Sequence, residues 1–180
     1  MISKEIRQRA GRVKLLLMDC DGVLTDGRIT LLTEGDEQKS FHVRDGQGIV
    51  LLHRAGLRSG IISGRSSQLV DRRAKELGIE FVRQGVWNKI EDFAEILELT
   101  NLKPEETAFI GDDVTDIPLL LRAGFAIAVA DSVTETKKAA HLVTKEKGGH
   151  GAVREVTDLI LQIQGKWQQL MDGYFDLQSK

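Results

Sequence analysis

Asp19 and Asp21 stand two residues apart at the end of an apolar run and open into Gly22, Val23, Leu24, Thr25 and Asp26. A pair so spaced at a strand end, followed by a glycine turn, can aim both carboxylates into one small site. Asp112 and Asp113, with Asp116 one helical step further on, add oxygen donors suited to a hard ion such as magnesium, and no His or Cys cluster competes for zinc. Without a cation, so many neighbouring carboxylates would repel one another and some would stay protonated. Ser63, followed by Gly64, offers a hydroxyl, and Lys89 a fixed ammonium, for the oxygens of a phosphoryl group under in-line attack. Removing a phosphate from an alcohol needs these parts: a nucleophile, a proton for the departing alkoxide, and positive charge around the phosphoryl oxygens. Singly, each has a plainer reading, as a turn residue, a cap or a solvated charge. Together they point to one site only if the fold brings them together.

The pattern of the chain supplies such a fold. Short apolar runs at 13–20, 58–62, 80–84, 107–110, 126–129 and 141–144 read as strands. Amphipathic stretches at 48–55, 66–77 and 89–98 read as helices, the second stopping at Gly78. Asp116 with Pro118 begins another helix that ends at Gly124, Ser132 with Glu135 makes a capping box for a helix through Ala140, and 151–167 closes the chain as a helix. Alternating strands and helices predict a parallel sheet covered on both faces, with ligands bound beyond the carboxyl ends of its strands. Asp19 with Asp21, Ser63 with Gly64, and Asp112 with Asp113 all fall at such ends. The fold expected is therefore α/β, a Rossmann-like three-layer sandwich with a central parallel sheet.

One insertion breaks the alternation. Residues 28–43 hold two strand-like segments, 29–32 and 40–43, around a polar turn of Glu34, Gly35 and Asp36, and predict a β-hairpin. Residues 145–151, with three glycines around His150, read as the flexible segment of the chain. No internal repeat or linker divides it, so a single domain over 1–180 is expected.

Composition narrows the partners. The 25 Lys and Arg against 27 Asp and Glu give a formal charge of −2, without the clustered positive charge that nucleic acid requires. Cys20 is alone, so no disulfide forms within the chain, and it reads as a small buried residue rather than a reactive thiol. Residues 1–14 are basic and helical in tendency but lack the apolar core and cleavage site of a secretory signal. No stretch approaches the roughly 20 apolar residues of a membrane span, and a cytoplasmic protein is expected.

The order Asp19-x-Asp21-Gly22-Val23, then Ser63, then Lys89, then Gly111-Asp112-Asp113-x-x-Asp116 resembles all four motifs of the haloacid-dehalogenase superfamily and covers nearly the whole chain. The resemblance implies that Asp19 attacks phosphorus and binds magnesium, that Asp21 protonates the leaving oxygen and then activates water, and that Asp112 and the backbone carbonyl of Asp21 are further magnesium ligands. It implies phosphoryl contacts from Ser63, Gly64 and Lys89, with Asp113 and Asp116 orienting magnesium waters and Lys89 from outside the ligand set. A second carboxylate favours a phosphatase over a dehalogenase, because halide leaves without a proton and an alkoxide does not.

Only the hairpin separates Asp19 from Ser63, which leaves no room for a cap domain. An uncapped site has little surface for reading a small substrate, so the substrate is a macromolecule or neighbouring subunits build the missing wall. Three segments, 22–27, 41–46 and 148–155, resemble the 3-deoxy-D-manno-octulosonate 8-phosphate phosphatases, capless sugar-acid phosphatases of lipopolysaccharide synthesis. That resemblance implies a homotetramer whose hairpins help to cover adjacent sites, and substrate contacts from Asp21, His42, Val43, Arg44, Asp45, Gly46, Arg65, Arg73 and Lys89. Val50 stands where that family often carries Arg, so one expected contact is missing. Alternatives are a capless phosphatase for another nonulosonate phosphate or a phosphoprotein, and a non-catalytic phosphatase-like assembly or regulatory module.

Overall fold

The computed structural model describes residues 2–33 and 37–176. Along the chain run α1 (Lys4–Arg12), β1 (Leu15–Met18), β2 (Thr30–Leu31), β3 (Glu37–Gln38), α2 (Val43–Arg54), β4 (Arg58–Ile62), α3 (Gln68–Leu77) and β5 (Phe81–Arg83). There follow α4 (Lys89–Thr100), β6 (Thr107–Gly111), α5 (Ile117–Leu120), β7 (Phe125–Ala128), α6 (Thr134–Ala139), β8 (Leu142–Val143), α7 (Ala152–Ile163) and α8 (Trp167–Asp176).

The sheet is parallel and six-stranded, in the order β5-β4-β1-β6-β7-β8. Its central strand shows why the sheet needs cover on both faces. Side chains alternate along a strand, and Leu16 and Met18 enter one core while Leu15 and Leu17 enter the other. The first core takes Ile49 and Leu52 of α2, Val70 and Ala74 of α3, and Val153, Val156 and Ile160 of α7. The second takes Phe93 and Ile96 of α4 and Leu119 and Leu120 of α5. Three layers result, as the alternation predicted. Among the described residues no cap domain interrupts them.

The register sets the chemistry at one edge of the sheet. Met18 lies opposite Ile61 on one side and Ile110 on the other, so β1, β4 and β6 end within one residue of each other. Asp19, Ser63 and Asp112 leave these three strands side by side, and the Asp19 N–H still donates to the Ile110 carbonyl at 2.9 Å.

Several local expectations are corrected by packing. The hairpin pairs Thr30 with Gln38 and Leu31 with Glu37, so its second strand lies earlier than 40–43; its turn, at 34–36, falls outside the described residues. The reason is that α2 begins at Val43, well before 48. Gly46 and Gly48 do not break this helix, because they admit neighbours: a Cβ on Gly46 would lie 2.3 Å from the Arg73 guanidinium, and one on Gly48 2.4 Å from the Thr157 hydroxyl. The helix after Asp116 is short, α5 preceded by a 3-10 turn over Val114–Asp116. Ser132 caps nothing: its hydroxyl donates to the Gly111 carbonyl at 3.3 Å, and α6 starts after Val133. The last helix is two, α7 and α8, parted near Gly165, whose φ of 70° is the left-handed conformation that stops a helix. Residues 168–176 of the tail are thus helical, with the Tyr174 hydroxyl accepting from Arg54 (2.6 Å) and Gln47 (3.0 Å).

The segment 145–151 is likewise not loose. Gly149 N–H donates to the Val23 carbonyl at 2.9 Å, Gly148 N–H to the Asp131 carboxylate at 3.0 Å, and Glu155 accepts from the N–H groups of Lys145 and Glu146.

Candidate active site

The strand ends converge on a buried lysine. Lys89, the first residue of α4 and 7% exposed, donates to Asp19 Oδ1 at 2.8 Å and to Asp116 Oδ1 at 2.7 Å. Asp116 is fully buried, and its other oxygen accepts from the backbone N–H groups of Asp112 (2.9 Å) and Asp113 (3.3 Å). One side chain therefore fixes both the lysine and the turn that presents Asp112.

Asp19, Asp112 and Asp116 each bring a carboxylate oxygen within 4.8 Å of the others. Burial, then the charge of Asp116, pushes the Asp19 carboxyl up to about 6, although Lys89 pulls it down. Burial, then Asp116, Asp19 and Asp113, pushes Asp112 up to about 8. Burial works against the Lys89 ammonium, but Asp19 and Asp116 outweigh it and hold the amine above the ordinary lysine range. One lysine is thus too little positive charge for this cluster, and a hard divalent cation fits the donor set. Asp116 is already committed to Lys89 and two amides. The second oxygen of Asp19 and the Asp112 carboxylate remain for such an ion. Gly22 makes their meeting possible, since a Cβ there would sit 2.2 Å from Asp112 Oδ2.

Asp21 lies beside this cluster, its carboxylate bracketed by two cations. Lys39 contacts Oδ1 with 2% of its side chain exposed, and Arg65 Nε lies 3.5 Å from Oδ2. Arg65 also reaches Glu37 of β3 at 3.2 Å. Lys39 and Glu37 were not legible as site residues, because nothing in their local pattern separates them from the rest of a polar hairpin. Cys20, between the two aspartates, is fully buried, and burial followed by the charges of Asp21 and Asp19 drives its thiol well above the usual range. It is a packed residue.

Ser63, 2% exposed, and the exposed Gly64 follow β4, with the Ser63 carbonyl accepting from Val86 N–H at 3.1 Å. Asp113 instead turns its carboxylate to the N–H of Val114 at 2.7 Å. The substrate residues expected from 42–46 divide. Val43 is 79% exposed and Arg44 is exposed, whereas His42 Nδ1 is buried with no hydrogen-bond partner among the described residues. Gly46 is a packing residue against Arg73 and Leu77. Asp45 is 1% exposed and accepts from Gly151 N–H (3.1 Å) and Arg154 N–H (2.8 Å), at the start of α7. Arg73 pairs with Glu76 at 2.9 Å and lies 5.9 Å over the Phe41 ring. Val50 packs against the first core, so the position lacking Arg belongs to the inner side of α2.

Comparison with known proteins agrees with this geometry. Residues 73–156 match the family of haloacid dehalogenase-like hydrolases. The chain is 43% identical to the 3-deoxy-D-manno-octulosonate 8-phosphate phosphatase KdsC of Yersinia pestis over 165 residues, 92% of this chain and 88% of that one. It is 42% identical, with the same coverage, to the KdsC of Escherichia coli K12. It superposes with a TM-score of 0.94, at 40% identity over 96% of this chain and 99% of the other, on the corresponding phosphatase of Moraxella catarrhalis, whose crystal structure holds a magnesium ion, a phosphate ion and a KDO molecule. Four motifs on converging strand ends, a capless three-layer fold and near-complete coverage lead to one assignment: this chain belongs to the 3-deoxy-D-manno-octulosonate 8-phosphate phosphatase family of haloacid dehalogenase-like hydrolases.

Proposed function

We propose that the protein is a magnesium-dependent phosphatase that hydrolyses 3-deoxy-D-manno-octulosonate 8-phosphate to the free sugar acid and phosphate, a step in making lipopolysaccharide precursors. The observation that carries this reading is the Lys89 bridge between Asp19 and Asp116 beside Asp112, with Asp21 alongside, in a chain of this family.

Asp19, Asp112 and the backbone carbonyl of Asp21 would hold the ion. When bound, magnesium supplies positive charge to the phosphoryl oxygens and lets the crowded carboxylates ionise together. The remaining steps belong to the chain. Asp19 attacks phosphorus through a carboxylate oxygen as the bond to the sugar C8 oxygen breaks, and Asp21 gives its proton to that alkoxide. Asp21, now a carboxylate, takes a proton from water, whose oxygen attacks the aspartyl phosphate and returns Asp19 and inorganic phosphate. Lys89 neutralises phosphoryl charge and aims Asp19, while Ser63 and the Gly64 turn offer hydrogen bonds to phosphoryl oxygens. Asp116 positions Lys89, and Asp113 steadies the turn that carries Asp112.

Recognition of the sugar carboxylate is assigned to cations at the open mouth. Arg65 and Lys39 beside Asp21 support this, with Val43 and Arg44 exposed at the start of α2 after His42, and Arg73 lying over the Phe41 ring. We read the chain as one domain over residues 1–180, with the hairpin at about 28–43 and a tail at about 168–180. A homotetramer in which neighbours complete each site is supported by the apolar exposure of Leu31, Leu32 and Val43 on and after the hairpin. A cytoplasmic location is supported by the single unpaired Cys20. No described helix is long and apolar enough to cross a membrane.

Phosphate release from a panel of sugar-acid phosphates and a phosphopeptide, with magnesium and with chelator, tests the reading. The 8-phosphate of the octulosonate should be the best substrate, and only with magnesium. Faster turnover of another nonulosonate phosphate, or of the phosphopeptide, would replace the substrate. No turnover of any ester, together with a stable oligomer, would point to a non-catalytic module.

A further inference from the structure

Gly151 stands at the N-cap of α7 and has no side chain with which to cap it. The first amides of a helix need acceptors when they are buried. Here the acceptor comes from 106 residues earlier: Asp45 Oδ2 takes the Gly151 N–H and Oδ1 the Arg154 N–H, with 1% of Asp45 exposed.

This capped turn is the one that presses on the catalytic loop. Immediately before Gly151, a Cβ on Gly148 would lie 1.7 Å from the Gly22 carbonyl oxygen, and one on Gly149 2.4 Å from the Asp26 nitrogen. Backbone meets backbone there with no side chain between, tied by the Gly149 to Val23 hydrogen bond. Gly22 in turn follows Asp21 and abuts the Asp112 carboxylate. A continuous line of contacts therefore runs from Asp45 through Gly151 and the Gly148–Gly149 turn to Gly22, with Asp21 on one side and Asp112 on the other.

We infer that Asp45 is a positioning residue for catalysis: by capping α7 from α2 it holds the Gly148–Gly149 turn against Gly22 and so sets Asp21 relative to Asp112. It touches no reacting atom. This inference rests on the proposed phosphatase reading for its kinetic arm, but its structural arm does not.

Asp45→Ala and Asp45→Asn, each as the full chain, test it by steady-state kinetics with 3-deoxy-D-manno-octulosonate 8-phosphate and by amide hydrogen exchange without substrate or metal. In Asp45→Ala, kcat should fall about 10- to 100-fold with KM within about threefold, the scale on which an ångström of misplacement acts. Exchange should quicken at 20–27 and 146–154 while the buried strand 58–62 keeps its protection. Asp45→Asn, which retains one acceptor oxygen, should recover part of kcat and part of the protection. A raised KM with unchanged kcat would make Asp45 a substrate contact and overturn the inference. Unchanged exchange at 20–27 in a folded variant would overturn it as well. If Asp45→Ala does not fold, the same two criteria are applied to Asp45→Asn. A wild-type enzyme that leaves the ester intact defeats the phosphatase reading alone, since exchange still decides the role of Asp45.

Discussion

The ammonium of Lys39 lies against the carboxylate of Asp21, with only 2% of the lysine side chain exposed. The contact fastens the hairpin to the catalytic loop within one chain. Arg65 repeats the connection from the loop after β4, touching Asp21 and Glu37 together. The edge of the site thus carries two cations, each already paired with a carboxylate of this chain.

Lys39→Met is expected to lower kcat/KM for the octulosonate phosphate by about 10- to 100-fold, or roughly 1.4–2.7 kcal/mol of transition-state stabilisation. Lys39→Arg, keeping the charge, should lose less. Steady-state rates at constant ionic strength measure both, and equal losses would remove the charge as the reason.

Asp19→Asn should abolish turnover and the acid-stable phosphoenzyme expected on rapid quenching of the wild type, with its far-UV circular dichroism unchanged. Asp21→Asn should slow turnover by a factor on the order of 10² to 10⁴, the usual worth of a general acid or base. Its affinity for magnesium and inorganic phosphate, followed by calorimetry, should change far less.

Asp112→Asn removes a carboxyl whose ionisation is opposed by burial, then by Asp116, Asp19 and Asp113. In chelator the variant should be more stable than the wild type by on the order of 1 kcal/mol, about 2–4 °C in Tm. Magnesium should raise the wild-type Tm and leave the variant almost unmoved. Asp116→Ala should do the reverse of a stabilising change, costing about 3–5 kcal/mol in urea unfolding, because it strands part of the buried Lys89 charge.

Two histidines add an acid-side liability. Burial holds His53 below its ordinary value while its Nε2 meets the Ser59 hydroxyl at 2.7 Å, and burial, then Arg9, does the same to His141, whose Nδ1 accepts from Ala126 N–H at 2.9 Å. With folded values below the unfolded value of about 6.5, the unfolded chain binds more protons as pH falls, so their contribution is present above that pH and is lost below it. The urea midpoint of the wild type relative to His141→Asn should therefore fall between pH 7.5 and 5.5. Taking the difference cancels the acidic cluster, and a constant difference would exclude His141.

How much was legible depended on range. The strands were readable because runs such as Leu15–Met18 are apolar on both faces, and the stop at Gly78 because its left-handed φ of 69° follows from a glycine at a helix end. The start of α2 was not readable. Gly46 and Gly48 look like helix breakers in sequence, yet they are the points at which Arg73 and Thr157 approach the helix backbone. Residues 145–151 look like a loose linker for the same reason: glycine permits motion in isolation and close packing in a fold.

By itself, the sequence determined the chemistry. Asp19, Asp21, Ser63, Lys89 and Asp112 each follow a strand or open a helix, and parallel strands in register must deliver such ends to one edge. Only the tertiary structure decided what surrounds them: that Lys39 folds back on Asp21, that Arg65 joins Asp21 to Glu37, and that Asp45 caps α7. These contacts join residues whose separation along the chain carries no periodic signal. They form because burial leaves charges and amides without water, and the nearest partner in space must then replace it.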